Sequence, residues 1–120
     1  MMSGNPLKFD TVLDLCQHNH RRIVLAALAD RRQSVATNDL TKEIVKRDHP
    51  VPPTETSGET VTRIETALHH VHLPRLEDAA LVEHDPERQL VKPTAQFARG
   101  EPHLSAILDA DPALATPPEV

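Results

Sequence analysis

Residues 69–94 read HHVHLPRLEDAALVEHDPERQLVKPT, and the order of apolar and turn-forming residues in this run sets the expectation for the rest of the chain. The run opens with the end of an amphipathic helix. After a short turn, Leu81, Val82 and Glu83 form a strand, Asp85-Pro86-Glu87-Arg88 a tight turn, and Gln89, Leu90 and Val91 a returning strand. The expected unit is a helix followed by a β-wing.

Working back from this unit, Thr56-x-x-Glu59 has the form of a capping box that would start the helix. Val61, Ile64, Leu68 and Val71 then fall at i, i+3, i+7 and i+10, a core-facing stripe of helical period. Thr62, Arg63, Thr66 and His70 lie opposite the stripe, while Glu65, His69 and His72 run along its edge. Pro74 removes a backbone donor and is expected to kink the helix, so that Leu73 and Leu76 rejoin the core. Upstream, His49-Pro50-Val51-Pro52-Pro53-Thr54-Glu55 cannot be helical and reads as a surface loop. It is longer than the turn of a tight helix-turn-helix.

Further back, Thr37 is expected to cap a support helix with Asp39 in its first turn and Lys46 and Arg47 in its last, the charge order that the helix dipole favours. Leu40, Ile44 and Val45 would face the core, and Ser34-Val35-Ala36 would be a short extended segment. Two helices separated by a polar hinge at Gln17-His18 are expected before it, one capped by Asp10 or Thr11 and the other by Asn19 and ending near Arg31; one bent helix is the alternative. Residues 1–9 read as a mobile arm, 10–94 as the domain, 95–112 as a C-terminal helical extension and 113–120 as a frayed tail.

Leu73-x-x-Leu76-Glu77-x-x-x-Leu81-Val82-Glu83 resembles the segment of winged helix-turn-helix transcription regulators that joins the recognition helix to the wing. With Leu13-Asp14-Leu15-Cys16, then Asn19-His20-Arg21-Arg22-Ile23-Val24-Leu25, then His72-Leu73-Pro74-Arg75-Leu76-Glu77-Asp78-Ala79, the chain is similar to a winged-helix family of halophilic archaea over residues 10–94. The resemblance implies a mainly α fold with a small β-wing, a winged helix-turn-helix with extra terminal helices. It departs from the pattern at Ala80, where many such proteins have Gly in a left-handed cap. Alanine at positive φ costs roughly 1–2 kcal/mol, so the helix is expected to run on or to leave by another turn.

Composition narrows the partners. Phe9 and Phe97 are the sole aromatic residues, with no Trp or Tyr, so the stacking platforms of an RNA or single-strand binder are missing. The net charge is −5, and the acid is concentrated in residues 51–120. Phosphate binding in ordinary salt normally brings a basic excess. In a cytoplasm of very high salt the Debye length shrinks to about 3 Å, and acidity weighs less against DNA. Cys16 is the lone cysteine, which rules out an intrachain disulfide or a Cys-based zinc site. No apolar run reaches the length of a membrane span, so a cytoplasmic location is expected.

The resemblance to winged helix-turn-helix regulators implies double-stranded DNA as the expected partner. Thr62, Arg63, Thr66, His69 and His70 would enter the major groove, where Arg pairs with guanine and Thr meets the thymine methyl. Arg88, Lys92, Lys46 and Arg47 would reach phosphates, with Arg21, Arg22 and Lys42 nearby. A homodimer is expected to form through Leu13, Cys16, Leu104, Ile107 and Leu108, because the apolar stripe after the wing has little left to cover within so small a domain. The runner-up is an adaptor that keeps the fold and binds another protein through the acidic wing and the C-terminal helix. Glu65, His69 and His72 have the spacing of a partial metal shell, but three ligands on one helix edge are more simply exposed or hydrogen-bonded side chains, and no metal or cofactor is expected. No phosphate loop, nucleophile elbow or His-Glu-x-x-His run is present, and no catalytic residue is expected. Cys16, on an apolar helix face, reads as an inert packed thiol.

Overall fold

The computed structural model describes residues 8–48 and 57–115. In order along the chain these form α1 (Phe9–Leu15), α2 (Asn19–Arg31), β1 (Val35–Ala36), α3 (Thr37–Asp48), α4 (Gly58–Ala67), a π-helical turn (Leu68–His72), α5 (Leu73–Asp78), β2 (Val82–Asp85), β3 (Leu90–Pro93), α6 (Ala95–Arg99), α7 (Glu101–Asp109) and α8 (Pro112–Ala115). The architecture is mainly helical with a small antiparallel sheet of order β1-β3-β2. The expected extended segment at 35–36 becomes the third strand, pairing Val35 with Val91 and Ala36 with Leu90. The loop expected at 49–55 lies outside the described residues.

One core serves all these elements. Leu25 and Leu28 of α2, Leu40 and Ile44 of α3, Leu68, Leu73 and Leu76 of the long helical run, Leu81 and Val91 of the sheet, and Val12 and Leu104 from the ends are fully buried. Helix α2 buries residues on more than one face because it packs against both α3 and α7. The C-terminal stripe is thus spent inside the chain. Leu104 and Leu108 are buried, as is Cys16, and Ile107 packs against the same cluster. Of the residues expected to pair two copies, Leu13 remains exposed, at 42%.

The helix starts differ from expectation in four places. Helix α1 begins at Phe9, preceded by Lys8 with no side-chain cap, so neither Asp10 nor Thr11 has that role. Phe9 is therefore part of the helix rather than of an arm, and its ring meets His103 edge-on at 5.3 Å; residues 1–7 lie outside the described residues. Helix α2 is capped by His18 instead of Asn19, with His18 Nδ1 accepting the His20 amide at 3.1 Å. Thr37 opens α3 but turns its hydroxyl to Gln89 Oε1 at 3.0 Å, tying the support helix to the hairpin. Helix α4 is capped by Ser57, whose Oγ accepts the Thr60 amide at 3.1 Å; Thr56 falls outside the described residues.

The long helix carries the largest correction. Leu73 N donates to Leu68 O, the i→i−5 bond of a π-turn. This turn sits directly before Pro74, which has no amide to give His70 O and whose ring would crowd that carbonyl in a regular helix. The wider turn inserts one residue into the period. Val71, expected in the core, is 43% exposed, while His72 takes the inward position at 2%. Leu73 and Leu76 then rejoin the core as expected.

At the other end of the run, Ala80 does adopt the left-handed conformation, with φ 62°. Leu81 N donates to Leu76 O at 3.1 Å and Ala80 N to Glu77 O at 2.8 Å, the paired bonds of a Schellman cap. Leu81 and Leu76 are both fully buried beneath it. Thr94 holds the turn from outside, its hydroxyl donating to Ala80 O at 2.6 Å while accepting the Phe97 amide at 3.2 Å. The surrounding contacts thus fix a conformation that alanine by itself disfavours.

The hairpin is shifted toward the C-terminus relative to expectation. Its register pairs Val82 with Pro93 and Asp85 with Leu90, so Leu81 and Gln89 lie outside the strands. Asp85 Oδ1 accepts the Glu87 and Arg88 amides at 3.1 and 3.2 Å, and Gln89 leaves the turn with φ 57°. The side chain of Asp85 thus builds the turn that its residue type favours.

Candidate nucleic-acid interface

Helix α4 presents Thr62, Arg63 and Thr66 to solvent while Ile64 and, in the following turn, Leu68 anchor it to the core. His70 is exposed beyond them. This face also carries the exposed carboxylates Glu59 and Glu65. His69 is half-buried, its ring 5.5 Å from that of His84 on β2, so it faces the hairpin rather than sharing the open surface of Thr62 and Arg63. His84 in turn donates its amide to Glu77 Oε2 at 3.1 Å.

The hairpin supplies two cations. Arg88 is at the tip, 79% exposed, with Asp85 Oδ2 at 3.9 Å, and Lys92 is exposed on β3 with Glu83 as its cross-strand partner. On α3, Lys46 and Lys42 are exposed, whereas Arg47 is half-buried at 3.9 Å from Glu43.

Arg21 and Arg22 are engaged inside the molecule. Arg21 Nε donates to Leu15 O at 2.6 Å. Arg22 Nη1 donates to Cys16 O at 2.6 Å, and its Nε meets Asp111 Oδ2 at 2.8 Å. Both arginines thus satisfy carbonyls at the α1–α2 junction, and Arg22 also ties the C-terminal segment to it through Asp111. Burial pushes the Cys16 thiol up, against the pull of Arg22 and Arg21, which fits a packed rather than a reactive thiol.

The edge residues Glu65, His69 and His72 do not converge. The π-turn sends His72 inward, Glu65 stays exposed and His69 turns to His84. His72 instead meets His18 and His20 from the start of α2, with ring centroids 4.5 Å and 5.9 Å away. Arg21 Nη1 lies 3.4 Å from His72 Nδ1. Burial first, then the charges of His18, Arg21, His20 and Arg75, lowers the His72 pKa from 6.5 to about 4. The histidine pair at 18 and 20 was a visible signal in the sequence, but its third member is more than 50 residues away and is brought inward by a turn that a regular helical wheel does not contain.

The chain belongs to the family described as Domain of unknown function (DUF7344), which matches residues 13–92. That span includes the exposed face of α4, both hairpin cations and all three clustered histidines. No curated protein and no solved structure matches the chain. Among the described residues, no helix is long and apolar enough to cross a membrane.

Proposed function

We propose that the chain is a small DNA-binding transcription regulator built as a winged helix-turn-helix, with α4 and its continuation as the recognition helix and β2–β3 as the wing. The observation that carries this reading is the pairing on one helix of a buried ridge, Ile64 and Leu68, with an exposed face of Thr62, Arg63 and Thr66, in a chain whose hairpin exposes Arg88 and Lys92. The element order α2, β1, α3, α4, β2, β3 supports it, as does the sheet order that places β1 beside β3. Arg63 would read a guanine edge and the two threonines thymine methyls, with Arg88, Lys92 and Lys46 on phosphates. As a two-fold pair, the regulator would set its helices about 34–36 Å apart on a pseudo-palindrome.

Enrichment of duplexes from a random pool in concentrated KCl tests the proposal. An enriched site should bind the Arg63→Ala protein more weakly, by the ~1–3 kcal/mol typical of a lost base contact, with relaxed specificity at one position. Lys92→Ala should weaken all duplexes alike. If no duplex is enriched, or if Arg63→Ala with Thr66→Ala binds the enriched site unchanged, the recognition-helix assignment fails.

The alternative, an adaptor that binds protein, is favoured by one observation. The internal engagement of Arg21 and Arg22 removes two cations from an already acidic chain, and Glu59 and Glu65 stand beside Arg63. Recovery of a stoichiometric protein partner with no duplex enriched would support it.

A further inference from the structure

We propose that His18, His20 and His72 form a binding site for one divalent transition-metal ion of the zinc and cobalt class. One donor atom from each ring lies within 4.8 Å of the others, and among the described residues this is the sole group of three such side chains. Tetrahedral ligands about 2.0–2.1 Å from zinc sit roughly 3.3 Å from one another, so the separations between the three nitrogens need to close by at most about 1.5 Å. His18 is exposed and His20 half-buried, which leaves them room to do so. His72 is the fixed member.

The fixed member is the costly one, and its cost points to a ligand. A regular helix through residues 61–76 would bury Val71. The π-turn exposes that valine and buries an imidazole in its place, an exchange unfavourable on hydrophobic grounds. Among the described residues, buried His72 Nε2 has no hydrogen-bond partner, which is itself destabilising. π-Turns are frequent where a helix has to aim a functional side chain. Pro74 accounts for the wider turn but not for the choice of histidine at the position it buries. Imidazole donors suit zinc, cobalt, nickel and copper rather than the oxygen-seeking magnesium or calcium.

His18 Nδ1 holds the His20 amide at 3.1 Å and His72 Nδ1 faces Arg21 Nη1 at 3.4 Å. For these rings to offer Nε2, each proton moves to Nδ1 and these two contacts, one exposed and one long, are given up. Arg21 keeps its 2.6 Å bond to Leu15 O. The charges of Arg21 and Arg75 oppose a bare dication and favour an anion, hydroxide or chloride, in the fourth position. Three protein ligands with one open position is the arrangement of an exchangeable site rather than a closed structural one. The site does not depend on whether the domain binds DNA.

The test uses the full chain stripped with a chelator and titrated with cobalt(II) and with zinc(II). One equivalent of cobalt should give the visible d–d absorption of a low-coordinate ion, and one equivalent of zinc should raise the Tm by mass action. His18→Ala and His20→Ala, which leave the core intact, should each weaken binding by at least the about 10–100-fold that losing even an outer-shell partner costs. The double variant His69→Ala with His70→Ala should bind as the wild type does. His72→Gln could fail to fold, and the assignment therefore stands or falls with the other two positions. Absence of saturable one-to-one binding, or affinity unchanged in both His18→Ala and His20→Ala, overturns it.

Discussion

Two single residues carry strain that substitution can expose. Ala80 closes α5 with φ 62°, a conformation that costs alanine roughly 1–2 kcal/mol relative to glycine. Part of this is offset because glycine is freer in the unfolded chain. Ala80→Gly should therefore stabilise the protein by several tenths to about 1 kcal/mol, read as a higher urea midpoint at unchanged slope. A lower midpoint would mean that Thr94 and the buried Leu81 do not hold the cap as described. His72 is the other case. In the metal-free protein its folded pKa of about 4 lies below its ordinary 6.5, so between these values the unfolded chain binds a proton that the folded chain refuses. Stability from this source is whole above pH 6.5 and falls as the pH drops toward 4, by up to about 3 kcal/mol. The difference in unfolding free energy between wild type and His72→Leu, measured across that range, should carry this slope; a constant difference would show that His72 titrates normally.

At the scale of the element, the π-turn is the feature that the helical period could not reveal. The spacing of Val61, Ile64, Leu68 and Val71 fits a regular wheel, and the wheel is right as far as Leu68. One inserted residue then hands the inward position to His72. Val71→Ser should accordingly change stability by no more than about 0.5 kcal/mol, as surface substitutions do. Leu68→Ala, one turn earlier on the same expected stripe, should cost about 2–5 kcal/mol. Comparable losses at the two positions would restore the uninterrupted helix. The histidine cluster follows from the same turn, and a wheel drawn with a constant step places His72 on the edge with Glu65 and His69 instead.

For the whole molecule, the decisive contacts are those of the C-terminal helices. Leu104 and Leu108 are buried where α7 packs on α1 and α2, Phe97 is buried on α6 beside β3, and Arg22–Asp111 and Arg32–Glu101 tie the two ends together at 2.8 Å each. The family match ends at residue 92, yet the core does not. Removing everything after Thr94 would delete three large buried apolar side chains and uncover the core residues beneath them, at roughly 1.5–3 kcal/mol for each burial lost, against a total stability of about 5–15 kcal/mol for a domain of this kind. The truncated chain should show a shallow, early urea transition or none; a midpoint equal to that of the full chain would make α6 and α7 an appendage.

Much of this was legible locally. The sequence by itself determined the helices, the hairpin, the turn at Asp85 and most of the core, since apolar period, prolines and turn residues act through neighbours a few positions away. Thr62, Arg63, Thr66 and His70 were placed on an exposed face for the same reason. Tertiary structure alone decided the third strand, the inward swing of His72 toward His18 and His20, the left-handed Ala80, the internal engagement of Arg21 and Arg22, and the covering of Leu104 and Leu108. Each of these depends on groups distant in sequence meeting in a dense core, where filling space and satisfying backbone polar groups outweigh the preference of any one residue.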